Sequence, residues 1–502
     1  MDSKASSSLA GQRGYRSFYA DLVADPGAVR VCTGLSCHLA GAACPDQQDE
    51  AHPVRAVQCL GYCDRSPARL GPDGQLVLAT GSSPTSIRNI AREAIVTARI
   101  GQGDFSSLER AREAGVYRTL TRALNGTRAR VLAEVEASGE QGRGGAGFPT
   151  GRKWRIAAEA VAEERHVVAN GDEGDPGSFI DRILLEHDPH AILEGMALCA
   201  WAIGARQGVV YIRSEYPAAR ARMAAAIAEA QAAGFLGKAI CGSGFNFEVR
   251  VVAGHGSYVC GEETALLNAI EGRRGEVRVR PPYPAVQGLH GQPTVVNNIE
   301  TLVNIPWIVE RGAAAFRQLG TADSPGTKAF CLNHGFARPG IVEAEFGLSL
   351  RDLVETHGGG GRDGQSLAGI VLGGPMGSIL LSGEWDVDLS YQELAKRGIQ
   401  SGHGGVVALP AGTDWRKLMI HWLEFMVAES CGKCVPCRLG SAEALALAKQ
   451  ADTDEAHRKL PVLLDLIATT SLCGFGQSLP APVERLRVLA KAGQTGTGRT
   501  DR

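Results

Sequence analysis

Along the chain the rhythm of apolar positions changes several times, and each change marks a different kind of element. The first hundred residues carry short apolar runs, VRAVQCL and GQLVLAT, that predict strands, and the stretch 84–99 predicts a helix. Residues 104–138 are dense in Ala, Arg, Glu and Leu and predict helical linker segments. From Gly139 to about residue 320, glycine-rich loops alternate with helical stretches and with the β-rich runs HVVAN, GVVYIRSEY and FEVRVVAG. That alternation predicts an α/β sandwich. Residues 325–412 hold short β-rich pieces separated by Gly-Gly turns, with SLRDLVETH the one clear helix, and predict a small α+β module. Between Trp415 and Ala492 the pattern is almost wholly helical (DWRKLMIHWLEFMVAES, SAEALALAKQ), as in a small bundle. A polar tail, 493–502, is expected to be disordered.

Composition narrows the class. A chain of 502 residues is too long for one ordinary domain, and 44% apolar with 21% charged residues is the balance of a soluble globular protein. The net charge of −2 gives no support for a nucleic-acid surface or a basic membrane patch. No apolar run reaches 18 residues, so no membrane insertion is expected, and the polar N-terminus lacks the apolar stretch of a secretory signal. A cytoplasmic location is the expectation. The 64 glycines cluster in dense runs, which suits loops whose backbone comes close to a ligand.

The 13 cysteines are grouped rather than spread. In Cys431-Gly-Lys-Cys434-Val-Pro-Cys437 three thiols recur at intervals of three, a spacing that wraps three corners of an iron–sulfur cube and leaves the fourth to a distant thiol. Cys473, in SLCGFGQS, is the candidate fourth ligand because its glycine neighbours allow close backbone approach. Structural zinc is the alternative, although it more often uses two separated pairs. A second group, Cys32, Cys37, Cys59 and Cys63, makes two pairs. Cys44, Cys199, Cys241, Cys260 and Cys331 are scattered, and a scattered cysteine is usually a small buried hydrophobe.

The segment from Gly142 to Gly151 (GRGGAGFPTG) contains a G-x-G-x-x-G match. A dinucleotide fingerprint follows a strand, however, and the preceding RVLAEVEAS predicts a helix. The segment still offers bare backbone N–H groups, with Arg143 and Lys153 nearby, suited to a phosphate or a flat ring. Read alone, Lys153 is an ordinary surface lysine. The acidic loop Asn170-Gly-Asp172-Glu173-Gly-Asp175, running on to Asp181 and Arg182, follows HVVA directly and can meet sugar hydroxyls, amides or a divalent cation. Alone it would be a solvated turn. Tyr258-Val-Cys260-Gly261-Glu262-Glu263-Thr264 and Asn297-Asn298-Ile-Glu300-Thr301 add donors and acceptors but no evident nucleophile. Such residues suit a cofactor that performs the chemistry itself.

Taken together, GRGGAGFPTGRKW, NGDEGDPGSFIDR, YIRSEYP with YVCGEETAL, PTVVNNIETL and ESCGKCVPCR closely resemble the NADH-binding flavoprotein subunit of respiratory complex I. The same module occurs in NAD-reducing hydrogenases and NAD-dependent formate dehydrogenases. The resemblance runs in order over about 350 residues, from Gly139 to Ala490. It implies a multidomain α/β protein: a Rossmann-like FMN and NADH domain (139–324), a ubiquitin-like β-grasp module (325–412) and a helical bundle with a [4Fe–4S] cluster on Cys431, Cys434, Cys437 and Cys473 (413–492). By the same resemblance FMN would be held by Gly142, Gly144, Lys153, Asn170, Asp172, Glu173, Tyr258, Gly261, Glu262, Glu263, Asn297, Asn298 and Thr301. NADH would meet Phe148, Asp175 and Glu263. The family more often has Glu at the position of Asp175, so that the shorter side chain would lose its hydrogen bond or make it through a water. The implied chemistry is hydride exchange between NAD(H) and FMN, with the reacting atoms held roughly 3–3.5 Å apart, followed by single-electron transfer. Lys153 and Glu263 would support it, and Lys153 would stabilise negative charge on the reduced ring.

Residues 1–103 resemble a thioredoxin-like [2Fe–2S] domain, with VCTGLSC and QCLGYC supplying Cys32, Cys37, Cys59 and Cys63. Only the 21 residues 38–58 separate the pairs, fewer than that family usually has. The domain is therefore truncated, and zinc or a metal-free vestige stays open. Its fusion to the flavoprotein most resembles the β (diaphorase) subunit of soluble NAD-dependent formate dehydrogenase. That implies partner subunits: a thioredoxin-like [2Fe–2S] γ subunit and a large molybdenum- or tungsten-containing catalytic subunit. The diaphorase of an NAD-reducing hydrogenase and the complex I subunit are alternatives. A non-enzymatic iron–sulfur scaffold is the alternative of a different class.

Overall fold

In the computed structural model, residues 9–25, 27–42, 52–78, 83–450 and 453–496 are described. Cys44 and the end of the expected tail, 497–502, lie outside them.

The N-terminal part is a small mixed sheet of β1 (Val29–Cys32), β2 (Val54–Val57), β3 (Ala68–Leu70) and β4 (Leu76–Leu78), in the order β2-β1-β3-β4. Cys32, Cys37, Val57, Leu60, Ala68 and Leu70 make its own compact core.

The stretch 84–99 is not a helix. Ile87–Asn89 forms a strand, β5, which pairs in parallel with a strand from residues 340–345. The residues after it are captured before they can make helical bonds. Main-chain N–H groups of Ile95, Val96 and Thr97 donate to the buried carboxylate of Glu343 at 2.9, 3.0 and 2.7 Å. Residues 87–97, placed in the expected 1–103 domain, thus pack with a later sheet.

Next comes an all-parallel sheet of β6 (His166–Gly171), β7 (Gln207–Ile212), β8 (Glu248–Ala253) and β9 (Thr294–Asn298), ordered β8-β7-β6-β9. Its central strands are near-continuous apolar runs because both faces are covered. The helices that matter here are α1 (Thr150–Glu159), α2 (Ile180–His187), α3 (Pro189–Ile203), α4 (Glu263–Ile270) and α5 (Ile299–Arg311). Helices α3 and α5 cross closely at Gly195, where a Cβ would stand 2.1 Å from the Leu302 carbonyl oxygen.

The third sheet contains β10 (Thr327–Leu332), β11 (Gly340–Glu345), β12 (Leu367–Leu372), β13 (Ser378–Leu381) and β14 (Gly405–Pro410), in the order β13-β12-β14-β10-β11-β5. The expected helix of this module is a π-type turn over Asp352–His357. Last comes the bundle of α6 (Trp415–Glu429), α7 (Val435–Lys449), α8 (Asp454–Thr470) and α9 (Pro480–Gly496). Helix α9 continues past the expected boundary at 492. Among the described residues no helix is long and apolar enough to cross a membrane.

Candidate functional site

Strands β6 and β9 lie side by side and end together, so Asn170 and Asn298 are register partners at the carboxyl edge of the sheet. This edge is where open parallel sheets bind ligands. Part of each side chain there holds the local backbone. Asn298 Oδ1 caps α5, accepting from Glu300 N at 3.0 Å, and Glu262 Oε2 caps α4 through Thr264 N and Ala265 N, both at 3.0 Å. Asn170 Nδ2 donates to the Gly261 carbonyl at 2.8 Å and ties two of the predicted loops together.

The loops border a cleft of about 180 Å³ that opens to solvent. Of the predicted residues, Gly144, Asn170, Asp172, Glu173, Asp175, Tyr258, Gly261, Glu262 and Asn298 line it. So do Gly174, Asp181, Val259, Met376, His403, Gly474 and Phe475, which sequence reasoning left out. Asp181 stood inside a quoted motif, and Gly474 and Phe475 directly follow a quoted cysteine. His403 carried no signal beyond its flanking glycines in SGHGG.

The remaining predicted residues are engaged with protein groups. Gly142 accepts from the Tyr391 hydroxyl at 3.0 Å, and Thr301 Oγ1 accepts from Arg143 N at 2.9 Å. Asn297 Oδ1 accepts from the buried Trp154 indole at 2.9 Å. Lys153 Nζ donates to the Val296 carbonyl at 3.0 Å and stands 3.5 Å from Glu263 Oε2. Phe148 is exposed, with the Arg152 guanidinium 5.8 Å from its ring centroid. Arg143 corrects an expectation: it is wholly buried in an ion pair with Glu140 at 2.6 Å, so it does not offer its charge to a phosphate. Burial pushes Glu140 up to about 7 even beside that guanidinium.

The cleft fits a ligand rich in donors. Asp172 Oδ2, Asp181 Oδ1 and Glu262 Oε1 are buried acceptors without a hydrogen-bond partner, and a polyhydroxyl chain or ring N–H supplies such donors. Small residues keep the walls open: a Cβ on Gly174 would meet the Tyr258 ring at 2.6 Å. Burial raises Asp172 well above the carboxylate range, and burial together with Asp181 lifts Glu173 to about 7. Burial also raises Asp175, although the Tyr258 hydroxyl donates to it.

Both cysteine groups abut this cleft. On one side, Gly474 and Phe475 of the lining directly follow Cys473. Cys434 and Cys473 are the N-caps of α7 and of the short helix Gly474–Ser478, so two helix N-termini face the thiol group. Burial pushes Cys437 up to about 12 and Cys473 to about 11, with N–H groups of Phe475 and Gly476 opposing the latter. On the other side, Gly177 N, two residues beyond Asp175, donates to Cys63 Sγ at 3.3 Å. Cys32, Cys37, Cys59 and Cys63 are all at most 2% exposed, Cys59 and Cys63 Sγ lie 3.8 Å apart, and Gly61 N donates to Cys59 Sγ at 3.3 Å. Hydrogen bonds from the Cys32 and Cys63 thiols hold Cys59 well below the ordinary thiol range against burial. Tetrahedral zinc brings its thiolates to about 3.8 Å of one another. Among the described residues no three thiols come within 4.8 Å of one another, so both sets are wider than a single-ion site.

Residues 135–307 match the family model of the Nuo51 FMN-binding domain, and residues 417–488 that of the NADH-ubiquinone oxidoreductase-F iron–sulfur binding region. The chain is 43% identical over 367 residues to the NADH-quinone oxidoreductase F 2 subunit of Rhizobium meliloti (strain 1021), covering 72% of this chain and 87% of that protein. It is 43% identical over 371 residues to the NADP-reducing hydrogenase subunit HndC of Solidesulfovibrio fructosivorans, covering 73% and 76%. Among solved structures, a chain of an NAD+-reducing [NiFe]-hydrogenase in its H2-reduced state is similar with a TM-score of 0.82 and 28% identity, covering 98% of this chain and 92% of that one.

Proposed function

Because the chain belongs to the family of NADH-binding flavoprotein subunits, we propose that it acts as the diaphorase of a larger redox complex, binding NAD(H) and FMN in the cleft and relaying electrons through its cysteine groups. The observation that carries this reading is adjacency: the lining residues Gly474 and Phe475 follow Cys473, and Gly177, two residues beyond the lining residue Asp175, donates to Cys63. Bound FMN supplies the conversion between a two-electron hydride and single electrons.

The chain's own residues do the rest. Asp172, Asp181 and Glu262 accept from the flavin's hydroxyl and ring donors through the oxygens that lack partners. Asn170 and Asn298 orient the loops. Asp175, already hydrogen-bonded to Tyr258, meets the nucleotide at the cleft, with Glu263 and the exposed ring of Phe148 beside it. Lys153, on α1 and fixed by the Val296 carbonyl of β9, contributes positive charge. Cys431, Cys434, Cys437 and Cys473 hold a [4Fe–4S] cluster. Cys32, Cys37, Cys59 and Cys63 hold a [2Fe–2S] cluster, whose sulfurs receive the N–H bonds that tune such centres. Flavin and iron per chain test the assignment: one FMN with about six Fe is expected, and about four Fe would remove the N-terminal cluster.

The terminal substrate belongs to another chain, and formate at a molybdenum or tungsten subunit is the first choice. The shortened N-terminal cysteine domain fused to the flavoprotein supports it. A hydrogenase partner is the second reading, favoured by a structural likeness that covers 98% of this chain. Co-purified complex that reduces NAD+ with formate supports the first; reduction with H2 alone supports the second.

A further inference from the structure

Among the acidic groups of the cleft, two form a closed arrangement with an imidazole. Glu173, Asp181 and His403 come from the loop after β6, the first turn of α2 and the turn before β14, and are 2%, 1% and 5% exposed. Their ligating atoms all lie within 4.8 Å of one another. His403 Nε2 stands 3.1 Å from a donor, Asn298 Nδ2, and 3.4 Å from an acceptor, Asp181 Oδ2. The Asn298 amide cannot turn over, because its Oδ1 caps α5. An unprotonated Nε2 therefore accepts from Asn298, and a protonated one donates to Asp181, with no backbone movement. His403 Nδ1 lies 3.7 Å from Glu173 Oε1, and Asp181 Oδ1 has no partner at all.

A cation is poorly served here. Glu173 already accepts from Asp181 N and Arg182 N at 3.1 and 3.0 Å, and Asp181 Oδ2 accepts from Asn298 at 2.7 Å. A metal would have to share oxygens already committed to these bonds, whereas a proton on His403 leaves them as they are.

We propose that Glu173, Asp181 and His403 form a proton-holding site that takes one proton from solvent when the bound flavin is reduced and returns it on reoxidation. This rests on the flavin reading above. Hydride transfer moves two electrons and one proton from nicotinamide to flavin, so the cleft gains one negative charge and no proton is exchanged with solvent. In a buried site a proton on a neighbouring group offsets that charge. When the two electrons leave, the flavin's proton and the held proton both return to solvent. A full cycle therefore converts NADH to NAD+, two electrons and one proton.

The surroundings agree. Burial alone would depress His403, but Asp181 and Glu173 outweigh it and hold it at about 9, while Glu173 stands at about 7. Lys328 faces His403 from β10 but is itself paired with Glu300. Asp175 faces it from the acidic loop, Cys331 neighbours Glu173, and Tyr216 donates to Glu173 Oε2 at 3.3 Å.

The test uses the full chain loaded with FMN, reduced by NADH without oxygen in weakly buffered solution near pH 10, about one unit above the His403 value, where its imidazole is mostly neutral before reduction, with a pH-indicator dye. Wild type is expected to take up about one more proton per bleached flavin than His403→Gln. Equivalently, its two-electron potential falls about 30 mV more steeply per pH unit. Asp181→Asn gives the same comparison should His403→Gln fail to accumulate in folded form. Equal uptake in wild type and variants, with the flavin fully bleached, overturns the proposal. Wild type that binds no flavin, or whose flavin NADH does not bleach, overturns the functional reading and the proton site with it.

Discussion

Asp172, Asp181 and Glu262 each keep one carboxylate oxygen buried in or beside the cleft without a donor. Leaving a buried acceptor unpaired costs roughly 1–3 kcal/mol, so these oxygens are placed for a ligand, while Glu262 Oε2 and Asp181 Oδ2 serve the fold. Asp172→Ala is expected to weaken FMN binding about tenfold or more, since about 1.4 kcal/mol is a factor of ten. Fluorimetric titration of the flavin-stripped chain measures it, and unchanged affinity would take Asp172 out of the site. Lys153→Ala is expected to slow bleaching of the flavin by NADH in stopped-flow; an unchanged rate removes its role. The carboxylate loop and paired asparagines were legible because their donors and acceptors are close in sequence. His403 was not, because it meets Asp181 and Asn298 only once the third sheet packs against the first loops. Arg143 was misread for a related reason: its partner, Glu140, is three residues away, but nothing local says that the pair is buried.

At the level of elements, buried acidic groups join sheets to distant segments. Glu343 on β11 accepts the N–H groups of residues 95–97 and also the Thr327 hydroxyl at 2.6 Å. Glu343→Leu leaves those N–H groups unpaired and is expected to lower stability by about 3 kcal/mol or more, read from urea unfolding, with faster proteolysis within residues 90–101. Intact behaviour would mean that water replaces the carboxylate. Lys328 on β10 and Glu300 at the start of α5 form a buried pair. Lys328→Met strands Glu300, with an expected loss of about 3–5 kcal/mol. Glu345, bonded to Arg92, is held down at about 2. Its folded value lies below the unfolded one, so its contribution is present above about pH 4.3 and is lost as pH falls towards 2. Arg92→Ala should therefore lower stability near neutral pH and flatten its fall through that window. Strands β6 to β8 could be read from their apolar runs, whereas β9 was read only as a polar motif. Strand β5 could not, since the group that stops its neighbours from becoming helical comes from about 250 residues later in the chain.

Across the whole molecule, Arg213 shows how the N-terminal part is joined to the cleft. Its buried guanidinium donates to the carbonyl of Cys59 at 2.8 Å and also to the carbonyl of Glu173. The loop that borders the cleft thus lies directly against one thiol group, as the Phe475 side lies against the other. Cys59→Ser is expected to lower iron by about two per chain and Cys473→Ser by about four, each with flavin retained; a common loss of flavin would mean that the groups are structural only. The most direct test of the account is anaerobic titration of the purified, FMN-loaded chain with NADH, followed by absorbance and electron paramagnetic resonance. The account predicts that NADH bleaches the flavin and that the signal of a reduced iron–sulfur cluster appears with it. A chain that carries flavin and iron, yet shows neither change when NADH is added, would contradict it.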